Sequence, residues 1–417
     1  MELEILDLIT LLIFLAATFT LINITLIKLP STIGLMFIAL GMSVVILVSG
    51  IIFPHLTDVA VHIMEDFDFE QVLLHVMLSF LLFAGALSID LSKLVEERLP
   101  ILALATFGVI VSTFIVGFLM FEVFQWVGYP VPLTFCLLFG ALISPTDPIA
   151  VLALIKKANL SKNLEIKIAG ESLFNDGIGV VVFLTILGVA KQGTDNISVV
   201  DIGVLFGTEV IGGLGMGAIL GFIGFKLLDY IENDHVELEV LVTLSLVMGG
   251  NRIAELIHVS GPLAMVTMGL FIGNEGRSDK LAQATGEYVY KFWHLLDEAL
   301  NAILFILIGL EMIVISQGYK LEYLFIGIIA IAVVLFARLI GVSIPIGIMS
   351  RTRKFEKGTI AILTWGGLRG GLSVAMALSL PDELLGEFKD LIVVTTYSVV
   401  LFSIMVQGLT ISKLIKN

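Results

Sequence analysis

The sequence is a succession of apolar stretches separated by short polar segments. An α-helix rises about 1.5 Å per residue, so about 20 apolar residues cross the roughly 30 Å of hydrocarbon in a bilayer. Hydrophobic residues make up 58% of the 417 positions and charged residues only 14%, which is more apolar surface than a soluble domain buries. We therefore predict an all-α polytopic membrane protein embedded in the lipid bilayer.

About thirteen transmembrane helices are predicted. Their ranges are 5–27, 31–53, 71–90, 99–124, 131–155, 164–190, 200–228, 238–257, 259–274, 292–316, 321–349, 358–380 and 391–412. No connecting segment is long enough for a second domain, so residues 1–417 are predicted to form a single transmembrane domain. The acidic start, MELEILDLIT, has no Lys or Arg typical of a signal peptide and is interpreted as part of an uncleaved first span.

Lysine and arginine residues fall mainly on one side of this topology. If the N-terminus is outside, seventeen lie in or beside cytoplasmic segments, and only Lys191, Lys320 and Lys389 lie in external loops. Cytoplasmic loops of membrane proteins carry an excess of positive charge. We therefore expect a protein of the cell (inner) membrane with its N-terminus outside and its C-terminus in the cytoplasm.

Charge and cysteine content exclude several classes of partner. The net charge of −14 argues against nucleic acid as a partner. The single cysteine, Cys136, excludes a disulfide framework and a cysteine-rich metal site. No cofactor is expected.

Two spans carry helix-breaking residues. Pro145 and Pro148 in SPTDPIA (144–150) interrupt the fifth span, and four glycines in WGGLRGG (365–371) interrupt the twelfth, about 222 residues later. A similar offset separates two apolar motifs: Gly85 in FLLFAGALSID lies 224 residues before Gly309 in FILIGLEM. Seven spans separate the members of each pair, so the copies would run in opposite directions. We predict an inverted structural repeat with two broken, crossing helices, the arrangement that marks a secondary transporter's midplane site.

A polar patch lies on the sixth span. In GESLFNDGIG (170–179), helical spacing stacks Glu171 with Asn175 and Ser172 with Asp176 on two adjacent rows. Such residues are costly within a bilayer and usually face a cavity or another helix. The patch is therefore a candidate functional surface rather than a lipid-facing one.

Asp147, between the prolines of the fifth span, and Asp176 are expected to share one cavity. Thr146 and Ser172 would add hydroxyl oxygens to this site. Carboxylate, hydroxyl and carbonyl oxygens are hard ligands that suit Na⁺ or Li⁺. Because burial disfavours the charged form of a carboxyl group, a proton and a cation would compete for Asp176. This competition is the physical basis of proton/cation exchange.

Three arginines lie within predicted spans, namely Arg252, Arg338 and Arg369. An isolated arginine is costly in a bilayer, so each should face a cavity or an acidic partner. A buried Glu171 would stay ionised beside Arg338 or Arg369, and such a pair would hold helices together without binding substrate. Asn175 is expected to brace the broken fifth helix.

Four motifs in the order SPTDPIAV, GESLFNDGIGVVV, FILIGLE and WGGLRGGLSVA resemble a known family. They are similar to the NhaP-type sodium/proton antiporters of the monovalent cation:proton antiporter superfamily, relatives of the animal sodium/proton exchangers. The resemblance runs from the third span to the twelfth. It implies three pairs of functional residues: Asn175 with Asp176, Thr146 with Asp147 in the unwound helix, and Glu171 with Arg338 as a buried ion pair.

The resemblance also implies a homodimer that works by an elevator-like movement. Each protomer would have a core bundle, about 99–190 and 321–417, and a dimerisation part, about 1–90 and 200–316. Asn175 before Asp176 implies electroneutral exchange of one cation per proton. The chain stops soon after its last span, so we expect no long cytoplasmic regulatory domain.

Other functions remain open at this point. Ligand type alone does not distinguish Na⁺ from K⁺, so a K⁺/H⁺ antiporter is the main alternative. A cation channel or a non-transporting sensor on the same scaffold is another. An intramembrane aspartyl protease using Asp147 and Asp176 is a distant alternative, since the sequence lacks a Gly-x-Gly-Asp motif and protease chemistry does not explain the repeat.

Overall fold

A computed structural model describes residues 5–66, 71–157, 161–192, 198–231, 235–275, 282–318 and 320–416. Throughout these ranges every extended regular element is a helix, and no strand is formed. This confirms the predicted all-α class. The physical reason is that backbone groups surrounded by lipid must find their hydrogen-bond partners within the same segment.

The principal helices follow the predicted spans. They are α1 (Ile5–Ile22), α2 (Ser31–Gly50), α3 (Leu78–Ser88), α4 (Val109–Val127), α5a (Leu133–Ile143), α5b (Ile149–Lys157), α6 (Lys162–Gln192), α7 (Val199–Tyr230), α8 (Val236–Leu256), α9 (Gly261–Glu275), α10 (Ala282–Ile315), α11 (Leu321–Met349), α12a (Thr359–Trp365), α12b (Gly371–Leu378) and α13 (Phe388–Phe402). Wider, π-helical turns extend several of them, at Asn23–Ile27, Val72–Met77, Ala103–Gly108 and Ser403–Gln407. Short helices lie beside them at Pro54–Asp66, Leu91–Glu96, Arg98–Leu102, Asp382–Leu385 and Gly408–Lys416.

Eight helical stretches of the described chain are long and apolar enough to cross a bilayer. They are Leu6–Ile27, Ser31–Gly50, Arg98–Val127, Lys162–Gln192, Val200–Tyr230, Tyr288–Gly318, Glu322–Met349 and Phe388–Leu414. Shorter apolar helices occupy Val72–Ser88, Leu133–Ile143 and Gly261–Asn274. The polytopic membrane architecture is therefore confirmed, while the number of thirteen spans stays a prediction.

Helices α5 and α12 are both broken. Each consists of two half-helices, and the extended segments that join the halves run antiparallel to each other. The backbone N–H of Asp147 donates to the carbonyl of Leu368 at 2.8 Å, so the two breaks contact each other directly. These two residues are 221 positions apart, close to the offset between the repeats in the sequence. The predicted pair of broken, crossing helices is thus present.

The helices pack in two groups around this crossing. In one group, α5a packs against α4, α6 and α12b, and α11 packs against α4 and α13. In the other, α9 packs against α3, α7 and α8, while α10 packs against α1, α2 and α3. Contacts of α6 with α9 and of α10 with α12b join the two groups. The crossing therefore lies in one group and faces the other.

Candidate functional site

The break in α5 is held by side chains of α6. The N–H of Thr146 donates to Oδ1 of Asn175 at 3.3 Å, and Nδ2 of Asn175 donates to the Thr146 hydroxyl at 2.7 Å. The Ser172 hydroxyl donates to the carbonyl of Thr146. Both Asn175 and Ser172 are buried. The polar patch of α6 thus supplies partners for the backbone groups that the double-proline break leaves without helical hydrogen bonds.

Asp147 occupies the start of α5b. Its Oδ1 accepts a hydrogen bond from the N–H of Ile149 at 2.9 Å, in the manner of an N-capping aspartate. The positive end of the α5b dipole therefore favours a negative charge at this position. The other carboxylate oxygen lies against α12: a Cβ atom on Gly370 would come within 2.7 Å of Oδ2 of Asp147. Only glycine lets the second broken helix approach the carboxylate this closely.

A cavity of about 1020 Å³ reaches both aspartates. Asp147, Ser172 and Asp176 line it together with residues of α12b. The cavity also extends to the chain segments at the ends of α1, α2 and α3 and to the first half of α10; these lining residues include Ile24, Pro30, Ser88 and Tyr290. The two carboxylates thus line a passage that runs between the two helix groups.

The Asp176 carboxylate has no partner among the described residues at the site. In the described part of the chain it receives no hydrogen bond and forms no ion pair, and the negative charge of Asp147 acts on it. Desolvation of a carboxylate is costly unless a counter-charge is present. Two carboxylates in one cavity therefore make a site that attracts a proton or a metal cation.

Glu171 is directed away from this cavity. Its Oε1 lies 2.5 Å from NH1 of Arg338 on α11, and both side chains are buried. Nε of Arg338 also donates to the carbonyl of Leu363 at 3.2 Å, and a Cβ on Gly367 would come within 2.6 Å of that nitrogen. The ion pair therefore joins α6, α11 and α12a behind the crossing, without lining the cavity.

Arg369 lies at the crossing itself and forms no ion pair with a described residue. Its NH1 donates to the carbonyls of Gly367 at 3.3 Å and Pro145 at 3.5 Å, and its Nε has no partner among the described residues. These carbonyls follow the C-terminal ends of α12a and α5a, where helix dipoles place partial negative charge. The guanidinium is thus held by carbonyls at two helix ends, and the negative charge of Glu171 also acts on it.

The structure brings most of the predicted site together but separates some roles. Asp147, Asp176 and Ser172 share the cavity, whereas Thr146 does not line it.

Two further residues, Ser403 and Gln407 of the thirteenth span, contact the break in α12 and were not predicted from the sequence. The signal in the sequence was the amide of Gln407 in an otherwise apolar span. Such a group must find hydrogen-bond partners within the protein, so it indicates a contact with another helix.

Half-helices that meet beside carboxylates in a cavity between two helix groups are typical of the class of secondary transporters. The sequence matches the family model described as "Sodium/hydrogen exchanger, transmembrane" over residues 11–417. It is 46% identical over 417 residues to the Na(+)/H(+) antiporter NhaP of Pseudomonas aeruginosa, covering 99% of this chain and 96% of that protein. It is 32% identical to the Na(+)/H(+) antiporter NhaH of Halobacillus aidingensis, covering 98% and 97%. The chain belongs to the sodium/hydrogen exchanger family, whose members are transporters rather than enzymes.

A solved structure has the same fold. The sodium proton antiporter MjNhaP1 from Methanocaldococcus jannaschii superimposes with a TM-score of 0.76 over 100% of this chain and 99% of that one. At 21% sequence identity, this likeness concerns the fold. Together with the sequence matches, it confirms the resemblance stated from the four motifs.

Proposed function

We propose that this protein exchanges Na⁺ or Li⁺ for H⁺ across the membrane. The observation that carries the proposal is the pair of carboxylates in one cavity, with Asp176 lacking any partner in the described chain. The names of the relatives, which are Na(+)/H(+) antiporters, support the same substrates.

Asp176 is the group that changes charge in this mechanism. Its carboxylate holds either a proton or a cation, and Asp147 and the Ser172 hydroxyl supply further oxygen ligands on the same cavity wall. Thr146 belongs to the site through its contacts with Ser172 and Asn175. The resemblance to antiporters with Asn before Asp in the sixth span implies that one proton leaves for each cation that binds, so we expect the exchange to be one-for-one.

Alternating access follows from the two helix groups. A core bundle, about 99–190 and 321–417, carries the site and moves in an elevator-like manner against a dimerisation part, about 1–90 and 200–316. The position of the cavity between the two groups supports this division. The protein acts as a homodimer, with its N-terminus outside and its C-terminus in the cytoplasm of the cell (inner) membrane.

The decisive experiment measures proton flux in proteoliposomes containing Na⁺, Li⁺ or K⁺ gradients. Wild-type protein is expected to move protons against Na⁺ and Li⁺. Asp176→Asn is expected to be inactive, because an amide carries no negative charge and takes up no proton at neutral pH, so it cannot exchange a proton for a cation. Asp229→Asn is the matched control, since Asp229 is exposed and pairs with Lys226 at 4.0 Å, far along α7. Sodium-driven flux in Asp176→Asn would refute the assignment.

Two further arms separate the alternatives. Flux driven by K⁺ but not by Na⁺ would establish the K⁺/H⁺ antiporter instead, and cation flux without counter-moving protons would establish a channel. A membrane potential imposed with valinomycin is expected to leave the rate of Na⁺/H⁺ exchange unchanged, because no net charge moves. A clear voltage dependence would exclude one-for-one exchange.

A further inference from the structure

The break in α12 is held by two polar side chains of the π-helical turn Ser403–Gln407, which continues α13. The backbone N–H of Arg369 donates to Oγ of Ser403 at 2.8 Å. Ser403 in turn donates to Oε1 of Gln407 at 2.8 Å, and Nε2 of Gln407 donates to the carbonyl of Trp365 at 2.9 Å. Both side chains are buried. Gln407 therefore contacts Trp365, the last residue of α12a, directly, and through Ser403 it reaches Arg369, which lies two residues before α12b.

This arrangement repeats what Asn175 does for α5. In each case the helix that follows a broken helix contributes a carboxamide and a serine to the break: Asn175 with Ser172 on α6, and Gln407 with Ser403 after α13. A carboxamide is suited to this work because it donates and accepts at once. In α12, the acceptor oxygen orients the Ser403 hydroxyl, and the donor nitrogen holds the end of α12a.

The segment that these residues hold determines where Asp147 lies. Leu368 accepts the backbone hydrogen bond of Asp147, and Gly370 lies directly against the Asp147 carboxylate. The segment is thus fixed at Trp365 and Arg369 from the α13 side and contacts the cavity aspartate on its other side. A shift of the segment moves Asp147 relative to Asp176.

We infer that Ser403 and Gln407 are positioning residues of the cation site, acting on Asp147 through residues 366–370. This inference rests on the proposed Na⁺/H⁺ exchange. Neither residue lines the large cavity, so neither contacts the ion directly. Their role resembles that of outer-shell residues at metal sites, whose loss weakens cation affinity about 10-fold to 100-fold.

The test compares Ser403→Ala, Gln407→Met and the double variant in proteoliposomes. Each single variant is expected to raise the KM for Na⁺ about 10-fold or more, with a smaller effect on the maximal rate. Because the two side chains form one chain of hydrogen bonds, the double variant should be no worse than the worse single variant. Thr396→Val is the control: its hydroxyl is also buried on α13 but donates only to Ile392 of the same helix, so its KM should be unchanged.

A second measurement separates this inference from the proposed function. Hydrogen exchange followed by mass spectrometry should show faster exchange of the amides in 366–370 in both single variants, and unchanged exchange in Thr396→Val. If wild-type protein moved no Na⁺, the proposed function would fail while the exchange data would still decide whether these residues hold the break. Unchanged exchange at 366–370, or a KM for Na⁺ equal to that of wild type, would overturn the inference.

Discussion

At the scale of single residues, two acidic side chains on neighbouring turns of α6 have different surroundings. Glu171 has a guanidinium partner at 2.5 Å, while Asp176, five residues later, has none in the described chain and opens into the cavity. Five residues correspond to a rotation of about 140° around a helix, so the two carboxylates face different neighbours. Their sequence proximity therefore does not give them one role.

Glu171→Gln is expected to destabilise the protein. The substitution leaves the guanidinium of Arg338 buried without its counter-charge, at a cost of about 3–5 kcal/mol. The measurement is the melting temperature of the purified protein in detergent. Asp229→Asn, which removes an exposed pair with Lys226, is the control and should change stability by about 0–1 kcal/mol. An unchanged melting temperature together with lost transport would place Glu171 in the binding site instead.

At the scale of elements, the site depends on two interrupted helices rather than on any complete one. Prolines stop α5 because they remove backbone donors, and glycines in α12 permit an extended segment next to the Asp147 carboxylate. Each break exposes backbone groups whose partners come from α6, from the turn after α13, or from the other break. The half-helix ends then place partial charges beside Asp147 and Arg369.

Gly370→Ala is expected to impair cation binding. The added methyl group would come within 2.7 Å of Oδ2 of Asp147, so either the carboxylate or the α12 segment must move. We expect a KM for Na⁺ raised about 10-fold, as when a ligating group loses the outer-shell contact that orients it. Gly347→Ala on α11 is the control, because its new methyl group meets no atom within 4 Å. Equal Na⁺ dependence in the two variants would show that the close approach at Gly370 is unimportant.

At the scale of the whole molecule, the cavity lies between two packed groups of helices. Lining residues come from α1, α3 and α10 on one side and from α5b, α6 and α12b on the other. Movement of one group past the other would close this passage and open the site to the opposite side. The chain segments at the mouth of the cavity are those predicted to lie in the cytoplasm.

Cysteine labelling tests which side the cavity faces. The single native cysteine, Cys136, is fully buried and provides an unreactive background. In Ser88→Cys the new thiol lines the cavity, so a membrane-impermeant maleimide should label it in inside-out vesicles but not in right-side-out vesicles. Lys320→Cys, in a predicted external loop, should show the opposite pattern. Labelling of Ser88→Cys only from outside would reverse the proposed orientation.

Sequence alone was sufficient for the features that depend on local composition. Apolar runs determine membrane helices, prolines and glycines determine where α5 and α12 break, and four motifs indicate the family, because each of these signals is contained within a few neighbouring residues. It also singled out Asp147 and Asp176, since carboxylates are costly in a bilayer wherever they lie.

Only the tertiary structure decided which of these groups meet. It paired Glu171 with Arg338, which the residues by themselves left open and the family resemblance implied. It also turned the Thr146 hydroxyl towards Asn175 and brought Ser403 and Gln407 to a break about 40 residues earlier in the chain. Each of these contacts depends on how helices distant in sequence rotate and cross. Helical periodicity places a side chain on a face, but packing against other helices determines which partner that face meets.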